Sequence, residues 1–144
     1  MADYKSVLVA VDLTEHSDAV VRRGMEVARA FGAKLNLLHV VEYVPVEPMG
    51  EALLPAVDIE EELVEGAQRR LEELAKRMDL KGEEWRVEKG TIKAEVVRVA
   101  EETGADLVVL GSKERHGIAV MLNLTEDTIL HAAPCDVLAV RIPG

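Results

Sequence analysis

The sequence predicts an open α/β fold, a parallel sheet with helices on both faces. Two observations carry that expectation. Short, continuous apolar runs rich in Val, Leu and Ile recur at residues 7–11, 35–41, 107–110 and 137–142, the pattern of strands buried on both faces. Between them the apolar period changes to that of helices, and strands alternating with helices favour parallel pairing through right-handed crossovers. The 144 residues are read as one domain, residues 1–144, because a unit of roughly 100 to 150 residues is the commonest size and buries a real core.

Residues 7–11 form the first strand and end at Asp12. The first helix carries Val20, Gly24, Val27, Ala28 and Phe31 on one stripe, with Arg22, Glu26 and Arg29 on another, and Gly32 supplies a left-handed stop. After the second strand, residues 42–57 hold Pro45, Pro48, Gly50 and Pro55, so regular helix is not expected there. Met49, Leu53, Leu54 and Val57 suggest that this excursion docks somewhere. Asp58 with Glu61 reads as the N-terminal cap of a second helix, with Ile59, Leu63, Ala67, Leu71, Leu74 and Met78 along its apolar face and Gly82 closing it. Residues 84–89 alternate Trp85 and Val87 with charges, as an edge strand does. A third helix starts near Thr91, buries Ile92, Val96, Val99 and Ala100, and stops before Gly104. A fourth covers residues 118–133, facing Ile118, Leu122, Thr125, Ile129 and Ala133 inward, before Pro134 breaks it.

Seventeen basic against 27 acidic residues leave a net charge of −10, which repels a nucleic-acid backbone or an anionic membrane surface. The start at Met1 lacks the pattern of a secretory leader, and no apolar run approaches the roughly 20 residues of a membrane-spanning helix. A single cysteine, Cys135, allows no intrachain disulfide and reads as a small buried hydrophobe rather than a reactive thiol. Cytoplasmic residence is the expectation.

In an open parallel sheet, ligands bind outside the carboxyl ends of the strands. That rule selects residues 12–14, 40–42 and 111–117. Asp12 offers a carboxylate to a ribose or to backbone amides, or else caps the turn into the first helix. Gly111 and Gly117 bracket a strand-to-helix loop in which backbone approaches a phosphate closely, while Lys113 and Arg115 either neutralise phosphate or pair with Glu114. His16, His39, His116 and His131 lack the spacing of a metal pair, and no catalytic triad or nucleophile elbow is present. Neither a metal site nor an enzyme is expected.

These segments together resemble the universal stress protein family over almost the whole chain. Residues 7–17 resemble its opening strand, aspartate and helix start. Residues 32–35 and 38–41 resemble its second-strand signature, 105–112 its fourth strand and glycine, and 133–140 its closing strand. The resemblance implies a Rossmann-like, adenine-nucleotide-hydrolase-type sheet of five strands in the order 3-2-1-4-5, and a homodimer. For ATP-binding members it implies roles for Asp12 and the Val40 backbone at the nucleoside and a glycine loop at the phosphates. That loop departs from the family here. Gly111 and Thr125 match its ends, whereas Glu114 and Leu124 stand where the family has glycines; a register one residue shorter puts Asn123 and Leu124 at the final pair.

The resulting expectation is a non-catalytic stress-response dimer with a degenerate nucleotide motif and no resident cofactor, joined through Val137, Leu138, Ala139, Val140 and Arg141 of an edge strand. The alternative is an ATP or AMP sensor, or a very slow ATPase, using Asp12, Val40, Gly111 and Thr125. A third reading, an enzyme of the wider superfamily, has no visible base or metal cluster behind it.

Overall fold

A computed structural model describes residues 3–42, 53–80, 84–113, 129 and 131–142. The elements run β1 (Ser6–Ala10), α1 (Ser17–Phe31), β2 (Lys34–Val41), α2 (Leu53–Arg77), β3 (Glu84–Lys89), α3 (Ile92–Thr103), β4 (Leu107–Lys113) and β5 (Asp136–Ile142). They make one five-stranded sheet in the order β3-β2-β1-β4-β5, every pair parallel. The expected order and the Trp85 edge strand are as found. Of the fourth helix, Ile129, His131 and Ala132 are helical, and the rest lies outside the described residues.

Strand alternation sends side chains to two separate cores. Val7, Val9, Leu35, Leu37 and Val109 meet Val20, Val21 and Met25 of α1 and Leu71 and Leu74 of α2 on one face. Leu8, Leu38, Val40, Val108 and Leu110 meet Val96, Val99 and Ala100 of α3, together with Ile129, on the other. Val7, Leu8 and Val9 are fully buried, each contributing about 1.5–3 kcal/mol relative to exposure.

Helices α1, α2 and α3 close the same way. Gly32, Asp79 and Gly104 adopt left-handed φ of 64°, 57° and 65°, and the next amides, on Ala33, Leu80 and Ala105, donate back to Ala28, Ala75 and Ala100. Asp79 therefore ends α2, the role the sequence assigned to Gly82, which lies outside the described residues.

Other boundaries also differ from expectation. The second helix starts at Leu53 rather than at Asp58, so residues 53–57 are helical and Asp58 is inside the helix. Pro55 fits because a first-turn residue has no intrahelical amide bond to lose. Ile59 and Leu63 are 45% and 44% exposed, and among the described side chains of α2 the first buried one is Ala67. In α1 the buried stripe runs through Ser17, Val20, Val21, Gly24, Met25 and Ala28. Phe31 falls off it, 45% exposed, and packs edge-on to Tyr4 with ring centroids 5.0 Å apart.

Two outcomes test this packing. A Cβ at Gly24 would run into Val9 Cγ2 at the centre of the sheet. Gly24→Ala is expected to lower unfolding free energy by about 1–2 kcal/mol in urea titration, the overpacking exceeding alanine's better helix propensity. Arg77 grips Asp18 through Nε at 3.0 Å and a second nitrogen at 2.7 Å, tying α2 to α1, and that hydrogen bond holds the Asp18 carboxyl below its ordinary range. A depressed folded-state value stabilises the fold above the unfolded carboxyl pKa, and the stabilisation is lost as pH falls through the folded one. Arg77→Met should therefore lower the melting temperature at neutral pH, by less than Gly24→Ala, and the difference should vanish in acid below the folded Asp18 value.

Candidate functional site

The carboxyl ends of β1, β2 and β4 bring the expected segments to one edge of the sheet. Past the end of β1 the Val11 amide still bonds Leu38 O at 2.8 Å, and the chain then turns sharply. Leu13 takes a left-handed φ of 59° while its side chain is buried in the α1–α2 core. A branched-chain residue does not hold that conformation without support. Arg70, reaching from α2, donates to the Leu13 carbonyl. Asp12 Oδ1 accepts from the Thr14 amide at 3.0 Å, the Thr14 hydroxyl at 2.7 Å and the Ser17 hydroxyl at 3.1 Å. Asp12 thus holds the turn that leads into α1.

The second strand end is also committed. His39 Nδ1 lies 2.7 Å from Val11 O; a carbonyl only accepts, so Nδ1 is the donor in this bond. Val40 is 7% exposed and sits opposite Glu88 in the β2–β3 ladder. Val41 O accepts from the Gly90 amide at 3.2 Å. Glu42 then reaches across to the start of α3, where its Oε2 accepts from the Ile92 amide at 3.0 Å. Thr91 Oγ1 accepts from the Ala94 amide at 3.3 Å. A helix start that would attract an anion is occupied by a carboxylate of the chain itself.

The third segment differs from its expectation as a loop. Gly111, Ser112 and the Lys113 backbone continue β4, pairing with Val140, Arg141 and Ile142. A Cβ on Gly111 would lie 2.5 Å from Ile142 Cδ1 and 3.1 Å from Val20 Cγ2, so the glycine lets α1 and β5 close on the strand. Glu114, Asn123, Leu124 and Thr125 lie outside the described residues. Among the described residues no three His, Cys, Asp or Glu side chains are placed to share a metal ion. Cys135 is half-buried, and burial, followed by Asp136 and Asp106, pushes its thiol up, away from a reactive thiolate. Among the described residues no helix is long and apolar enough to cross a membrane.

Five parallel strands in this order, with helices packed on both faces, define an open α/β domain. The Universal stress protein family pattern matches residues 3–141. Universal stress protein A homolog 2 of Coxiella burnetii is 37% identical over 145 residues, covering 100% of this chain and 99% of its own length. Homolog 1 of the same organism is 37% identical over 138 residues, covering 95% and 96%. The chain belongs to the universal stress protein family. Universal stress protein UspA from Lactobacillus plantarum shares the fold with a TM-score of 0.73 at 24% identity, over 98% of this chain and 100% of that one. A universal stress protein solved in complex with cAMP does so with a TM-score of 0.63 at 24% identity, over 96% and 98%.

Asp12, Val40 and Gly111 therefore gather at one sheet edge. Sequence reasoning missed Arg70, His39 and the Glu42 cap. Glu42 lay inside a selected segment, but its partner is fifty residues away. The left-handed Leu13 had no sequence signal, since leucine is a poor choice for that conformation. Asp12→Ala is expected to cost about 1–2 kcal/mol in chemical denaturation, and Asp12→Asn, which keeps a carbonyl acceptor, about half as much.

Proposed function

We propose that this chain is a non-catalytic, cytoplasmic stress-response dimer from the part of its family that does not bind ATP tightly. The observation that carries this reading is the use of the chain's own carboxylates at the crevice: Asp12 on the turn into α1 and Glu42 on the first amide of α3. An incoming polyphosphate meets the Glu42 carboxylate on the first amide of α3 and the Asp12 carboxylate in the turn before α1, on a protein of net charge −10. The sequence adds to this, since Glu114 and Leu124 stand where the family's phosphate loop has glycines. Cytoplasmic residence is supported by the single cysteine.

Dimerisation is proposed through β5, the edge strand beside β4. Val137, Leu138 and Val140 are half-buried in the single chain, with Ala139 and Arg141 exposed between them. An edge of this composition is covered by a symmetric partner. Sedimentation should show a dimer at moderate salt that Val140→Lys weakens.

A second reading, a nucleotide sensor or very slow ATPase, is favoured by the nearness of Asp12 and the Val40 strand end and by the cAMP complex of a fold relative. Calorimetric titration with adenosine, AMP and ATP separates the two. The expected result is weak affinity that changes little with phosphate number. Low-micromolar ATP binding, far tighter than adenosine, would count for the sensor and against the proposal.

A further inference from the structure

The opening turns of α2 outrun the strand on which the helix packs. Its 25 residues make a helix about 37 Å long, whereas β2, with 8 residues, spans only about 26 Å. Ile59 and Leu63 lie in this stretch, before the first buried side chain at Ala67, one turn apart on one stripe, and both are exposed. Two of the four exposed large apolar side chains among the described residues thus share one stripe of one helix. Gly66 continues that stripe, three residues after Leu63. A glycine inside a helix weakens it relative to alanine, so its presence calls for a reason. At Gly24 the reason is contact, since a Cβ would strike Val9. At Gly66 an added Cβ would meet, among the described residues, only the end of the Arg69 side chain at 3.8 Å, and the backbone is not at positive φ. No described neighbour requires the missing side chain, whereas a second helix crossing there would, because glycine lets two backbones approach closely.

The charge around the stripe states what such a helix carries. Glu62 borders it, and Glu61 and Glu65 stand on the same two turns, within about 10 Å, the range over which salt leaves charges felt. Among the described residues none of these three makes an ion pair, whereas Glu60 is spent on Lys89 at 3.2 Å. Cations come only a turn later, at Arg69 and Arg70, and Arg70 is spent on the Leu13 carbonyl. The face is therefore apolar with an acidic border, and its complement is apolar with a basic border. A second copy of the chain fits less well, because it brings another net charge of −10 to a face that is already acidic.

We propose that the opening turns of α2 dock a basic amphipathic helix of a partner protein. Its apolar stripe lies on Ile59 and Leu63, its closest approach is at Gly66, and its lysines or arginines face Glu62. The face uses neither the Asp12 turn nor β5, so the proposal depends on neither nucleotide binding nor the β5 dimer.

The test is a titration of the ¹⁵N-labelled full chain, followed by NMR, with a synthetic peptide of leucine and lysine, about five helical turns long, whose leucines fall on one stripe. Two controls accompany it: the same composition with the leucines scattered around the helix, and a leucine–glutamate peptide with the stripe intact. Saturable shifts are expected at the amides of residues 59–66 with the first peptide alone. Ile59→Ser and Leu63→Ser should each weaken binding about tenfold, and added salt should weaken it further. Gly66→Gln is the sharpest variant, because it should raise the melting temperature by improving the helix while weakening the peptide by about tenfold or more. The proposal is overturned if the scattered or the acidic peptide binds equally well, if the shifts fall elsewhere, or if affinity survives the Ile59 and Leu63 substitutions. A fall in melting temperature for Gly66→Gln would mean that the glycine serves packing within the chain, and would remove the reason for the crossing. If Ile59→Ser with Leu63→Ser lowers the sedimenting mass of the chain without peptide, the occupant is a second copy and the basic partner is refuted.

Discussion

Everything else in this molecule hangs on the burial of β1. Val7, Leu8 and Val9 are sealed on both faces and bonded on both edges, to β2 and to β4. Period-two alternation divides them between two cores, so a slip of one residue would turn both cores inside out. The register of the flanking strands is fixed through this strand, and so is the point at which the chain leaves the sheet. Asp106 reinforces the other end, its carboxylate accepting from the Lys5 and Ser6 amides at 2.8 and 3.0 Å.

From that fixed exit follows the character of the crevice. The chain leaves β1 into a turn whose Leu13 backbone is unfavourable in isolation, and several separate interactions compensate: the buried Leu13 side chain, the Arg70 bond to its carbonyl, and Asp12 bridging to Thr14 and Ser17. Across the sheet edge the Glu42 carboxylate accepts from the first amide of α3, whereas Asp12 holds the turn that precedes α1. At this edge two of the chain's own carboxylates are thus already engaged. These engaged carboxylates are what supports the proposal of weak polyphosphate binding.

Much of this was legible in the sequence because strands buried on both faces leave a contiguous apolar signature, and because glycine stops such as Gly32 and Gly104 sit where left-handed φ is required. What escaped was decided by tertiary context. Pro55 argued against helix until it stood in a first turn. Phe31 looked like core on a helical wheel, but the sheet meets α1 along the stripe of Val21 and Met25. Gly111 resembled a loop glycine by position, whereas its packing against Ile142 and Val20 depends on the approach of β5 and α1, which no local pattern records. At the site, Asp12 was legible as either ligand or cap, and the turn that its bonds to Thr14 and Ser17 hold is visible only in the structure. Arg70 and Glu42 act over fifty residues or more, beyond any spacing rule.

The central claim is that the crevice is closed to tight nucleotide by the chain's own carboxylates. The most direct measurement is mass spectrometry of small molecules released on denaturing freshly purified protein, quantified against protein concentration. The account predicts ATP and AMP far below one equivalent per chain. Stoichiometric ATP carried through purification would contradict it, and would mean that Glu42 gives way to phosphate at the start of α3.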